Sequence, residues 1–220
     1  MRVEAVVFDM DGVVVDSETY WEGELEEILE AVVPDVDVDP RALVGINVHD
    51  QYERLAAEYD LALDRTGYVG LFDRRADEIY GEQAELMEGF DELVDAIGER
   101  DRTVGLVTSS LREWVATVFD RFHLDGRFDV VVTAADENVP GKPAPDLYEL
   151  AAARLGVDPT ELLVVEDSAN GVAAARAAGA YVIAYAVGPS AELDHSGADE
   201  VARDPVDLRR RVLTRLEDAE

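Results

Sequence analysis

Val3-Glu4-Ala5-Val6-Val7-Phe8-Asp9-Met10-Asp11-Gly12 opens the chain with a short apolar run that breaks into two carboxylates and a glycine. An apolar run of this length reads as a strand buried on both faces, as in a parallel sheet. Four later runs share this character: Thr103–Thr108, Val130–Thr133, Leu162–Val165 and Tyr181–Ala184. Helical patterns lie between them with their own punctuation. Pro145 opens Asp146–Leu155 ahead of Gly156, and Ser168 stands before an Ala-rich stretch that stops at Gly179. Strand and helix in alternation predict an α/β fold with a doubly wound parallel sheet.

Residues 17–85 break the rhythm. Trp21, Leu25, Ile28 and Leu29 recur at spacings of three and four, and no strand pattern appears. Entering directly after the first strand, this block reads as an inserted, small all-helical cap domain. The expected division is a catalytic core of 1–16 and 86–220 and a helical cap of 17–85, with short junctions near Asp16 and Glu88-Gly89 suited to hinges.

At 220 residues and 48% hydrophobic composition, the chain can bury a sizeable core, so global disorder is not expected. It has no cysteine, which excludes disulfides, zinc–thiolate sites and thiol catalysis. The start runs from Met1 to Asp9 and Asp11 without an apolar stretch long enough for a signal peptide or membrane span, so a soluble cytoplasmic protein is expected. The formal net charge of −31 opposes binding to nucleic acid or an anionic membrane surface. Oligomeric state is left open, with a monomer favoured. All the basic side chains but one are Arg, and Lys142 is the single lysine. So acidic and lysine-poor a balance resembles proteins of salt-loving cytoplasms, where a Debye length of roughly 3 Å at about 1 M salt screens self-repulsion.

In open α/β sheets, ligands bind beyond the carboxyl ends of the strands, and the chemistry-bearing residues fall there. Asp9 and Asp11 repel each other unless a cation or proton intervenes, which suggests a metal site or a division of acid and base work. The alternative is an Asp-rich turn closed by Gly12. Thr108, Ser109 and Ser110 at the second strand end suit anionic oxygens, or else Thr108 and Ser109 cap the helix that follows. Lys142, in Gly141-Lys142-Pro143-Ala144-Pro145, is a point charge on a stiff loop that fits a phosphoryl group or a carboxylate nucleophile, the alternative being an ordinary surface lysine. Glu166 and Asp167 add two carboxylates after the fourth strand. With Asp9 and Asp11 they offer hard oxygen ligands for Mg²⁺, unless Asp167 merely caps the next helix.

Taken together, these segments resemble the haloacid dehalogenase-like superfamily, in the subgroup of small phosphatases and β-phosphoglucomutase-like proteins. Its four motifs are met in order by Asp9-Met10-Asp11-Gly12, Thr108-Ser109-Ser110, Lys142-Pro143, and Glu166-Asp167-Ser168 followed by Gly171. The likeness implies a Rossmann-like core with strand order 5-4-1-2-3, and the family's helical cap at 17–85. It also implies that Asp9 attacks phosphorus to form an aspartyl-phosphate and that Asp11 serves as acid and then base. Thr108 and Lys142 assist, and Mg²⁺ is held by Asp9, the Asp11 carbonyl and Asp167, with Glu166 a further ligand or a partner behind them. Gly45 resembles the glycine of the subgroup's cap loop, which makes Gly45, Asn47 and His49 candidate substrate contacts beside Ser109 and Lys142.

The implied activity is Mg²⁺-dependent hydrolysis of a small phosphorylated metabolite. One alternative is a sugar phosphomutase, but mutases of the subgroup carry a histidine where this chain has Trp21 and basic residues near Val44 and Val48. Another is a receiver-like phospho-acceptor module without turnover, but such modules are shorter and lack an inserted cap, and Asp11 offers a hydrolytic acid and base where a signalling domain would preserve its phosphoryl group.

The charge predicts that structure is lost cooperatively as KCl is withdrawn. Circular dichroism melts from about 1 M KCl to dilute buffer should show a steadily falling Tm, and a salt-independent melt would refute the halophilic reading.

Overall fold

The computed structural model of the chain describes residues 2–34, 36, 38–134 and 139–217. Six parallel strands form one sheet: β1 (Ala5–Phe8), β2 (Thr103–Thr108), β3 (Val130–Thr133), β4 (Leu162–Glu166), β5 (Tyr181–Tyr185) and β6 (Glu200–Ala202), in the order β3-β2-β1-β4-β5-β6. The expected arrangement is present, with β1 central. The sixth strand is a correction to it: three residues led by Glu200 give no apolar run, and only the neighbouring β5 makes this edge a strand. β1 also begins two residues later than its apolar run.

Among the described residues eight α-helices accompany the sheet: α1 (Glu18–Val32), α2 (Val48–Glu58), α3 (Arg65–Glu78), α4 (Phe90–Gly98), α5 (Arg112–Phe122), α6 (Asp146–Leu155), α7 (Ala169–Ala178) and α8 (Pro205–Glu217). Alternate residues of β1 feed two apolar layers. Val6 and Phe8 join Leu93 of α4 and Leu208 of α8, while Ala5 and Val7 join Leu147 of α6 and Ala175 of α7. A strand covered on both faces needs apolar residues at every position, which explains the unbroken run in the sequence.

Helices α1, α2 and α3, closed by a wide π turn at Ile79–Gln83, lie between β1 and β2, and no strand occurs among their described residues. Their apolar faces are continuous with the core: Trp21, Leu25, Ile28, Leu55 and Phe72 belong to the same cluster as Phe8. The chain leaves and re-enters the sheet side by side. Asp16 N–H donates to the Glu85 carbonyl, Met87 N–H to the Val14 carbonyl, and Glu85 N–H to the Asp16 carboxylate. Among the described residues no helix is long and apolar enough to cross a membrane.

Candidate active site

Strand register sets the site. Phe8 pairs with Leu106 on one side and Val165 on the other, so the chain emerging from β1 stands level with Val107 and Glu166. Lys142 reaches this point from the loop ahead of α6. Its Nζ donates to Asp9 Oδ1 at 2.7 Å, to Glu166 Oε1 at 2.5 Å and to the Val107 carbonyl at 3.3 Å, which uses all three ammonium protons. The side chain is fully buried, so the surface-lysine alternative does not hold.

Glu166 is saturated. Oε1 also accepts from the Tyr148 hydroxyl at 2.7 Å, while Oε2 accepts from the Asp167 and Ser168 N–H groups and the Ser168 hydroxyl. The first turn of α7 lies directly on this carboxylate, and a Cβ on Gly171 would fall 1.9 Å from Glu166 Oε1. Ser168, not Asp167, caps α7 by accepting from Gly171 N–H. Asp167 is left with a buried Oδ2 that has no partner among the described residues. Asp9, Glu166 and Asp167 each bring a carboxylate oxygen within 4.8 Å of the others. Gly12, at φ +72°, lets the first motif turn past them, because a Cβ there would sit 2.0 Å from Asp167 Oδ2.

Asp11 is held by hydroxyls. Ser17 and Tyr80 donate to Oδ1 and Ser110 to Oδ2, each at 2.6 Å. Ser17 precedes α1 but spends its hydroxyl here rather than on capping. Above the two aspartates lies a cavity of about 80 Å³, walled by Trp21, Leu25, Phe72 and Trp114 and by the loop through Val44, Gly45 and Ile46.

The sequence pattern of the haloacid dehalogenase-like hydrolases matches residues 3–179. The chain belongs to this family. This hydrolase is 34% identical to the putative phosphatase YhcW of Bacillus subtilis, over 80% of each chain. It is 30% identical to hexitol phosphatase B of Escherichia coli, covering 80% of this chain and 81% of that one. Among solved structures, a β-phosphoglucomutase from Clostridium difficile superposes with a TM-score of 0.76 at 19% identity, over 98% and 97% of the two chains. The hydrolase therefore acts on phosphomonoesters.

The structure brings Asp9, Asp11, Lys142, Glu166 and Asp167 together at one sheet edge. Thr108 is buried beside them, with its Oγ1 accepting from Ser110 N–H, and Leu111 rather than Thr108 or Ser109 precedes α5 as its cap position. Of the three candidate contacts on the inserted loop, only Gly45 lines the cavity, and its carbonyl accepts from Ser109 Oγ. Asn47 caps α2 and donates to the Ser109 carbonyl at 2.8 Å. His49 lies behind it, off the cavity wall, with its backbone N–H on the Asn47 side chain. Sequence reasoning missed Ser17, Glu18, Tyr80 and Tyr148. Ser17 and Glu18 come shortly after the first motif, at the start of the inserted block, which was a usable signal; the two tyrosines sit in helical stretches that gave none.

Burial pushes the Asp9 carboxyl up to about 8, with Glu166 and Asp11 adding to the rise and Lys142 opposing it. Asp167 is held well above the usual carboxylate range, by burial first and then by Glu18. Burial pulls the Lys142 ammonium down, but Asp9 and Glu166 outweigh that and leave it raised. Burial acts on all three groups, and the charge count adds to it: a single ammonium lies between two carboxylates, and the carboxylates of the site together outnumber it.

The sign for stability follows. With no divalent cation present, folded Asp9 holds its proton more tightly than the unfolded chain does, so stability falls as pH rises from about 4 towards 8. In chelator at constant high KCl, Asp9→Asn should therefore melt above the parent at pH 8 by at least about 3 °C, with the gap closing near pH 4. A gap independent of pH would show that Asp9 does not carry this charge strain.

Proposed function

We propose that the chain hydrolyses the monophosphate ester of a small sugar or polyol through an aspartyl-phosphate on Asp9. The observation that carries this reading is the Lys142 ammonium bridging Asp9 and Glu166 directly beneath the cavity, with Asp11 fixed alongside by three hydroxyls. The names of relatives agree with it. Hexitol phosphatase B and the phosphorylated carbohydrates phosphatase of Thermotoga maritima, 28% identical over 80% of this chain, are named for such substrates.

Asp9 attacks phosphorus, the ester bond breaks, and the leaving oxygen takes a proton from Asp11. Asp11 then accepts a proton from the water that attacks the aspartyl-phosphate, which releases phosphate and restores Asp9. Lys142 cannot move to a new partner without abandoning a buried carboxylate, so it orients Asp9 and lends positive charge to the transferring group. Thr108 orients Ser110 N–H and keeps its own hydroxyl proton free for a phosphoryl oxygen.

The donor set fits a hard divalent cation, because the partnerless Asp167 Oδ2 faces surplus negative charge. Asp9, Asp167 and the Asp11 carbonyl would hold Mg²⁺. Glu166, already taking five donors, serves behind them as the anchor of Lys142. Mg²⁺ supplies charge neutralisation at the phosphoryl oxygens.

Residues 17–85 act as the cap in this reading, excluding water from the cavity. Gly45 and Asn47 serve the closed form by gripping Ser109. Trp21, Val44 and Val48 all line the cavity where mutases of the subgroup would carry histidine and basic groups, which supports hydrolysis over mutation.

Phosphate release from a panel of monophosphate esters, with Mg²⁺ at high KCl, tests the reading. Asp9→Asn should abolish turnover in a folded protein, Asp11→Asn should lower kcat by about 10²- to 10⁴-fold, and Glu166→Gln should weaken Mg²⁺ dependence or activity by about 10- to 100-fold. Substantial Mg²⁺-dependent turnover by Asp9→Asn would overturn the assignment.

A further inference from the structure

Polar side chains at a buried site normally find partners, and among the described residues of the cavity wall two carboxylates do not: Asp167, already given to the candidate cation site, and one other. Asp11 takes Ser17, Tyr80 and Ser110, and Ser109 Oγ donates to the Gly45 carbonyl. Gln51 accepts from Tyr68 and donates to the Leu43 and Ile46 carbonyls. Both indole N–H groups are used, Trp21 on Tyr80 and Trp114 on Asp73. Glu18 remains. It is the first residue of α1, it lines the cavity above Asp9 and Asp11, and among the described residues nothing hydrogen-bonds or ion-pairs with its carboxylate.

The same wall carries no Lys, Arg or His among the described residues. A neighbouring cavity of about 300 Å³ shares Glu18, Trp21, Leu25, Val44 and Asp167 with it, and adds Glu22, Glu26 and Asp39. Its one basic residue, Arg41, is paired with Glu192 at 2.7 Å. Beyond the phosphoryl group, a substrate therefore meets aromatic rings, an unpartnered carboxylate and no free cation.

We propose that Glu18 determines specificity: it accepts a hydrogen bond from a hydroxyl on the leaving group and turns away any leaving group that carries a second anion. This rests on the reading of Asp9 as phosphoryl acceptor and adds to it the charge and donor pattern of the far end of the substrate. A hydroxyl near the ester oxygen gives Glu18 the donor it lacks. A carboxylate or second phosphate at that point would lose its water and face Glu18 with no counter-charge.

Four esters of matched size separate the possibilities at high KCl: 2-hydroxyethyl phosphate, ethyl phosphate, phosphoglycolate and phosphoethanolamine, with phenyl phosphate as a general probe of turnover. The expected order places 2-hydroxyethyl phosphate first, about 10-fold above ethyl phosphate in kcat/KM, as a hydrogen bond to a charged group supplies. Phosphoglycolate should lie about 100-fold or more below it. Glu18→Gln should narrow the hydroxyethyl-to-phosphoglycolate ratio by about 10-fold or more, through KM rather than kcat. A merely structural role would lower all five substrates in proportion and leave the ratio unmoved, which overturns the proposal. So does parental turnover of phosphoglycolate equal to that of 2-hydroxyethyl phosphate, or a preference for phosphoethanolamine that Glu18→Gln abolishes. If phenyl phosphate is hydrolysed in those cases, the phosphatase reading stands and only Glu18 loses its role; if no ester is hydrolysed, both readings fall together.

Discussion

One buried ammonium sets the terms for this site. Lys142 binds a carboxylate from β1's end and another from β4's end, and it reaches them from a loop that follows β3. Removing the ammonium from such a buried cluster destabilises a protein by about 3–5 kcal/mol, because the carboxylates left behind have neither water nor counter-ion. The three segments are thereby locked to one another. The lock is also incomplete as electrostatics: one cation stands among Asp9, Asp11, Glu166 and Asp167, and the raised Asp9 and Asp167 express the deficit. A fold that concentrates negative charge under a cavity and then under-neutralises it is poised for a proton or a cation to make up the balance.

The sheet supplies the precision. Because β1 is paired in register on both sides, Asp9 and Glu166 face each other at a distance fixed by strand spacing rather than by loop conformation. Gly12 and Gly171 then allow backbone where any Cβ would collide with Asp167 or Glu166. The inserted helices contribute in a different manner. Their loop is tied to the sheet edge by Asn47 and Gly45 on Ser109 and by Asn170 Nδ2 on the Val44 carbonyl, and all three contacts involve backbone carbonyls. Such contacts hold the loop's path whatever side chains face the cavity, so the wall facing the leaving group can vary without disturbing closure.

How much of this the sequence disclosed follows from range. The five long strands and α6 were legible because burial on both faces and Pro/Gly punctuation are written into consecutive residues. Three of the four motifs were legible because each sits at a strand end, and Lys142 because it is the single lysine and lies on a proline-flanked loop. β6 was not, since a three-residue edge strand beginning with Glu200 is defined by its neighbour rather than by its own composition. The hydroxyl ring around Asp11 was hidden for a related reason: Tyr80 is 69 residues away and Ser110 is 99, and which hydroxyl points inward is decided by packing. Ser109 and Ser110 look alike in the sequence, yet one grips the inserted loop and the other grips Asp11.

Glu18 shows why the junction between sheet and insertion bears chemistry as well as motion. It begins α1, where the free N–H groups of a helix favour negative charge, and it directly follows Ser17, whose hydroxyl is committed to Asp11. Under the proposed mechanism two consecutive residues would serve the two ends of one reaction: Ser17 would fix the group that handles the leaving oxygen, and Glu18 would face what that oxygen is attached to. Any swing of α1 about the paired junction at Asp16 and Glu85 would carry both away from the site together. Aligning Asp11 and presenting Glu18 would thus be one structural event, so under the two proposals the residue facing the leaving group belongs to the element that also holds the acid–base group.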